Sequence, residues 1–119
     1  MHATLIQSAR QELEKSRHFQ SEGFPGKSRV SARRSAGMAI QLYLSASSIL
    51  VTSSNAYDLL LFLQTLPDLP AEIKQACHVL TLRVDESFNL PPGSDPILAA
   101  ETIINWIITI YPESERKND

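Results

Sequence analysis

Arg29 and Arg33 stand one helical turn apart in the stretch PGKSRVSARRSAGMAIQLYLSAS, Pro25 to Ser47. Wound at about 100° per residue, Ala32, Ala36, Ala39, Ile40, Tyr43 and Leu44 gather on one face, and both arginines fall in the middle of it. A guanidinium on an apolar stripe is costly to bury unless something accepts its hydrogen bonds. Within the chain such a guanidinium must find a carboxylate or carbonyl groups; otherwise it is available to an anionic ligand from outside.

Two carboxylates have suitable positions. Glu101 lies between Ile97 and Ile108 on the inner side of the last apolar segment, and Asp58 lies within AYDLLLFL. Helical phase makes Glu101 the first choice, which predicts a partly buried Arg33–Glu101 pair with Arg29 nearer the rim and open to an anionic ligand. Arg29, Arg33 and Glu101 are thus the candidate ligand-binding residues. In the alternative, this helix is rotated so that both arginines snorkel to water and only the alanines pack.

Other chemistries find no footing. His2, His18 and His78 are scattered, and none has a second His, Cys or carboxylate at metal-site spacing, so no metal or other cofactor is expected. Phe24-Pro25-Gly26-Lys27-Ser28 lacks the upstream glycine and preceding strand of a phosphate loop, and no Gly-x-Ser-x-Gly elbow occurs. The single Cys77 is in register with Ile73, Leu80 and Val84, which reads as a buried thiol rather than a nucleophile.

The elements that must position the arginines are helices. The first should span about Thr4 to Ser21, with Leu5, Ile6, Ala9, Leu13 and Ser16 inward and Arg10, Glu14 and Arg17 solvated. Gly23 and Pro25 end it, and a short connection makes the second helix its antiparallel neighbour. Ser45 to Ser54 is rich in hydroxyls that compete for backbone hydrogen bonds, so the chain turns there, with Ile49, Leu50 and Val51 tucked under the bundle or extending the helix by a turn. Asn55 or Ser54 caps a third helix, AYDLLLFLQTL, stopped by Pro67. A fourth opens at Pro70 or Ala71 and uses Ile73, Ala76, Cys77, Leu80 and Val84 as its seam. Asp95-Pro96 starts a fifth, Pro96 to Ile110, by a capping side chain followed by proline in the first turn.

That fifth helix carries Ile97, Ala100, Ile104, Ile107, Ile108 and Tyr111 on one face, with Ile103, Trp106 and Ile110 nearly opposite. A helix apolar on two sides is central or shared with a partner. Ile103, Trp106 and Ile110 are therefore the candidate interface of a homodimer.

The 119 residues suffice for one core, read as a single domain over 1–119 with a frayed polar tail over 113–119. The fold class is all-α, an antiparallel up-and-down bundle of about five helices. The net charge of −2 gives no general reason to bind nucleic acid, yet Arg10 to Arg34 holds seven Lys or Arg against three Glu, a local basic surface or an ordinary solvated face. No segment reads as a secretory signal or a membrane span, which makes the cytoplasm the default compartment.

Two segments, SARRSAGMAIQLYL and LTLRVDESFNLPPGSDPILAAETIINWI, resemble the HEPN domains, small helical bundles named for higher eukaryotes, prokaryotes and nucleotide binding. Many active members are ribonucleases with an arginine followed after four to six residues by histidine. Here the corresponding region reads Arg83-Val84-Asp85-Glu86-Ser87-Phe88, without histidine. The resemblance thus implies a non-nucleolytic member, acting as a homodimer, as partner of a minimal nucleotidyltransferase, or as a module for a nucleotide or RNA. An enzyme that cleaves RNA or handles nucleotides through Arg29, Arg33 and Glu101, and a self-associating helical scaffold, are the competing readings.

Overall fold

The computed structural model describes residues 2–51, 53–82 and 93–111, with side chains from Leu5 onward. Every regular element among them is helical: α1 (His2–Ser21), α2 (Pro25–Ala46), α3 (Ala56–Leu63), α4 (Ala71–Thr81) and α5 (Pro96–Ile110). The ends follow local chemistry. Gly23 adopts a φ of 86°, Gly23 N–H donates to Gln20 O and Phe24 N–H to Phe19 O, so α1 closes in a Schellman turn before Pro25 opens α2. At the other end of α2 the same turn recurs, with Ser48 N–H on Ser45 O and Ile49 N–H on Leu44 O. Here the left-handed residue is Ser48, at a φ of 58°, a conformation costing a side-chain-bearing residue about 1–2 kcal/mol. The Asn55 side chain accepts from Asp58 N–H and the Asp95 side chain from Leu98 N–H, capping α3 and α5.

The bundle is antiparallel and built around α2, which packs against all four other helices. Its small residues explain this. Ser28, Ser31, Ala32, Ser35, Ala36, Gly37 and Ala39 are all buried, letting neighbouring backbones approach closely. Against α1 the contact is polar and reciprocal. Ser16 Oγ donates to Ser28 O at 2.6 Å and Ser28 Oγ donates to Ser16 O at 2.8 Å, satisfying two buried hydroxyls without a larger side chain. Leu42, Leu60, Leu63, Ile73, Leu80 and Ile107 fill the core between α2 and α3–α5.

Three expectations need correction. Of Ile49, Leu50 and Val51 only Ile49 packs on the core; the turn at Ser48 leaves Leu50 95% exposed and Val51 exposed. The third helix stops at Leu63, because Pro67 excludes helical backbone before it and Gln64 to Leu66 fold into tighter turns instead. The two apolar faces of α5 merge into one buried arc through Ala99, Ala100, Ile103, Ile104 and Ile107. Ile103 is fully buried and so cannot serve an interface, whereas Ile110 is exposed and Trp106 half-buried. The helix is wide-faced because α2, α4 and α1 all pack on it. Val84, the Arg83–Phe88 stretch and the 113–119 tail lie outside the described residues.

Candidate functional site

Arg33 does point inward, but its acceptor is main chain. Nε donates to Leu80 O at 2.9 Å, and the guanidinium carbon lies 5.6 Å from the centre of the Tyr57 ring. Leu80 is in the last turn of α4, whose final carbonyls have no partner within the helix and carry the negative end of its dipole. A cation there compensates both. Arg33 thereby ties α2 to the end of α4, with α3 supplying the aromatic platform.

The predicted Arg33–Glu101 pair is not formed. Glu101 Oε2 accepts from Arg17 Nη2 at 2.5 Å, and Arg17 also reaches Glu14 at 3.3 Å. The flank of α5 bearing Glu101 meets α1, while the flank of α2 bearing Arg33 meets α4. Arg17, expected in solvent, is the residue the reading missed. Asp58 is engaged by Ser53 Oγ at 2.9 Å and caps no arginine among the described residues.

Arg29 is half-buried on α2, one turn before Arg33, with no ion pair or side-chain hydrogen bond among the described residues. Its charge is felt. Burial pushes the Arg33 guanidinium below its ordinary value, the neighbouring charge of Arg29 pushes it further down, and Tyr57 acts in the opposite sense. Two guanidiniums thus share one rim, one anchored to a helix end and one open. Such a pair can bind a phosphate or carboxylate; it supplies no proton acceptor.

The remaining candidates are placed elsewhere. Cys77 is fully buried, and burial pushes its thiol up to about 12, so it stays protonated at neutral pH and is no nucleophile. Because the folded value lies above that of the unfolded chain, this group's contribution to stability is intact below about pH 9 and is lost as pH rises towards 12. His18 and His78 are exposed. Among the described residues no three His, Cys, Asp or Glu side chains cluster in a way that would hold a metal. Trp106 packs on Tyr43 with ring centres 5.0 Å apart, and Tyr43 also meets Tyr111 edge-on at 6.3 Å. Part of the apolar surface read as an interface is therefore used within the bundle. No described helix is long and apolar enough to cross a membrane.

The chain matches no family model and no curated sequence. It does match the crystal structure of an archaeal HEPN homologue, with a TM-score of 0.71 at 19% identity over 92% of this chain and 97% of that one. The chain therefore has the HEPN fold over nearly its whole length.

Proposed function

We propose that this chain is a non-catalytic HEPN-fold binding module. It works as a homodimer and either takes an anionic group of a nucleotide or RNA at the Arg29–Arg33 rim or partners a minimal nucleotidyltransferase. The observation that carries the reading is Arg29. It is half-buried beside a second guanidinium whose charge it disfavours, with no carboxylate against either among the described residues. A bound anion would relieve that repulsion. The competing nuclease site of Arg29, Arg33 and Glu101 is disfavoured because Glu101 is turned to Arg17.

Two expected outcomes test this. Purified protein should cut RNA no faster than buffer does, since general acid–base catalysis needs a group titrating near neutrality beside the 2′-hydroxyl. Cleavage that disappears in His18→Ala or His78→Ala would overturn the non-catalytic reading. The homodimer is expected to form along the α5 edge of Trp106 and Ile110, the latter 41% exposed. Light scattering should then report twice the 13.2 kDa chain mass, and Ile110→Glu should halve it. A monomeric mass at every concentration removes the dimer from the proposal.

A further inference from the structure

Arg34 lies about 140° round α2 from Arg29, at 100° per residue, and belongs to a second basic surface. Here the second half of α1 and the first half of α2 enclose an open cleft of about 280 Å³. Lys15, Lys27 and Arg34 stand at its walls, over an apolar floor of Phe19 and Val30. All three cations are exposed. Lys15 has a loose contact with Glu12, Nζ to Oε1 at 3.7 Å, and Lys27 and Arg34 have no carboxylate partner among the described residues. Val30 is 38% exposed, an aliphatic side chain left in water between the charges. Arg34 also walls a second cleft of about 310 Å³ farther along α2, where Gln41, Ser54 and Asn55 supply uncharged polar groups. From Lys27 to Gln41 the helix rises about 21 Å, the reach of about six residues of extended chain. Gly26 also lines the first cleft, and a Cβ there would meet nothing within 4 Å. Its backbone is that of an ordinary first helical turn, so conformation does not require glycine. The remaining structural use of a glycine is to let another backbone come close, and none within the described chain does.

We propose that the two clefts form one docking groove for an extended acidic segment of a partner protein, with its carboxylates on Lys15, Lys27 and Arg34 and one aliphatic side chain on Phe19 and Val30. Charge complementarity selects the acids, which exposed and unpaired cations steer into place. The floor selects an apolar side chain among them, because counter-ions alone would leave Val30 in water. Gly26 admits the segment's main chain, and Gln41 can donate to it and accept from it at the far end. A nucleic-acid strand would satisfy the cations too, but both aromatic rings at this end already carry the Lys27 ammonium, 4.8 Å from the centre of Phe24 and 5.7 Å from that of Phe19. That leaves a base without a stacking platform. The groove is separate from the Arg29 rim and rests on nothing assigned there, so either assignment can fail without the other.

The test is fluorescence anisotropy of a labelled peptide, a leucine flanked on each side by three glutamates, titrated with the intact chain. Micromolar binding is expected at low salt, weakening as salt screens the exposed charges. Lys27→Gln and Arg34→Gln should each weaken it by about two- to fivefold. Val30→Ser, or serine in place of the peptide's leucine, should cost about three- to tenfold. Gly26→Ala should leave the unfolding midpoint unchanged or higher, since alanine is the better helix former, yet weaken the peptide by about fivefold or more. These side chains are exposed or meet open space, and circular dichroism of each variant separates lost binding from lost fold. No binding by folded protein at low salt, or affinities unchanged in both charge variants, would overturn the proposal. Indifference to Gly26→Ala would put the peptide elsewhere and overturn it as well. Equal binding of the serine peptide would reduce the groove to a counter-ion surface, and displacement of the leucine peptide by an oligouridylate of matched charge at equal concentration would assign it to nucleic acid; either result sinks the acidic-segment reading.

Discussion

Gly37→Val should cost the fold about 3 kcal/mol, and Gly37→Ala about 1 kcal/mol, even though both replace a poor helix former in mid-helix. A Cβ on Gly37 would sit 2.8 Å from Ala56 Cβ and 3.0 Å from Ala56 Cα. Neither atom belongs to a flexible side chain that can swing away. One is a methyl fixed to the backbone and the other is the backbone of the first turn of α3. Relief requires α3 to move off α2, and α3 carries Leu59, Leu60 and Leu63 into the core and Tyr57 under Arg33. The gain of up to about 1 kcal/mol in helix propensity from alanine is therefore outweighed by overpacking of about 1–3 kcal/mol. With total stabilities of about 5–15 kcal/mol, the valine variant should be partly unfolded at moderate temperature. Chemical denaturation measures this directly. Ala56→Gly removes the closest opposing atom, so the double variant should recover part of the loss. Strict additivity of Gly37→Ala and Ala56→Gly would mean that the helices do not meet there.

The sequence made the boundary between α1 and α2 and the starts of α3 and α5 legible because each is marked by a residue type with one job: Gly23 before Pro25, Asn55 before α3, Asp95 before Pro96. The role of α2 as the hub rests on its run of serine, alanine and glycine, which lets all four other helices approach it. The site was legible only by half. Residue types announced that Arg33 needed a carboxylate or carbonyl acceptor, but helical phase can rank only the carboxylates; which carbonyl is free depends on where α4 ends, and that selects Leu80 O. Arg17 was hidden differently. A residue on the flank of α1 is equally well placed for water or for a third helix, and helical phase within α1 does not say where α5 will lie. Ile103 failed for a geometric reason: at 100° per residue it lies only about 40° round the helix from Ile107, so the stripes read as nearly opposite join into one buried face when three helices pack on it.

Removing the charge of Arg29 should separate binding from stability. Arg33 has an assigned structural acceptor, so Arg33→Met is expected to lose about 1–3 kcal/mol by leaving Leu80 O and the end of α4 without their charged donor. That variant cannot report on ligand binding alone. Arg29 has no such acceptor, and its charge works against the Arg33 guanidinium beside it. Arg29→Gln should therefore leave the unfolding midpoint unchanged or raise it slightly, since like charges one turn apart on a helix destabilise by a few tenths of a kcal/mol. The same substitution removes one charge-assisted partner of a bound phosphate, worth about 1.5–3 kcal/mol, and should weaken nucleotide binding by roughly 10- to 100-fold. A residue whose loss stabilises the free protein while destroying an affinity is held in place by its ligand's chemistry rather than by the fold. Titration calorimetry with a nucleoside triphosphate, set beside thermal unfolding of the same two variants, measures both sides of this trade. If Arg29→Gln loses as much stability as Arg33→Met, Arg29 is part of the scaffold, and the anion site proposed at this rim goes with it.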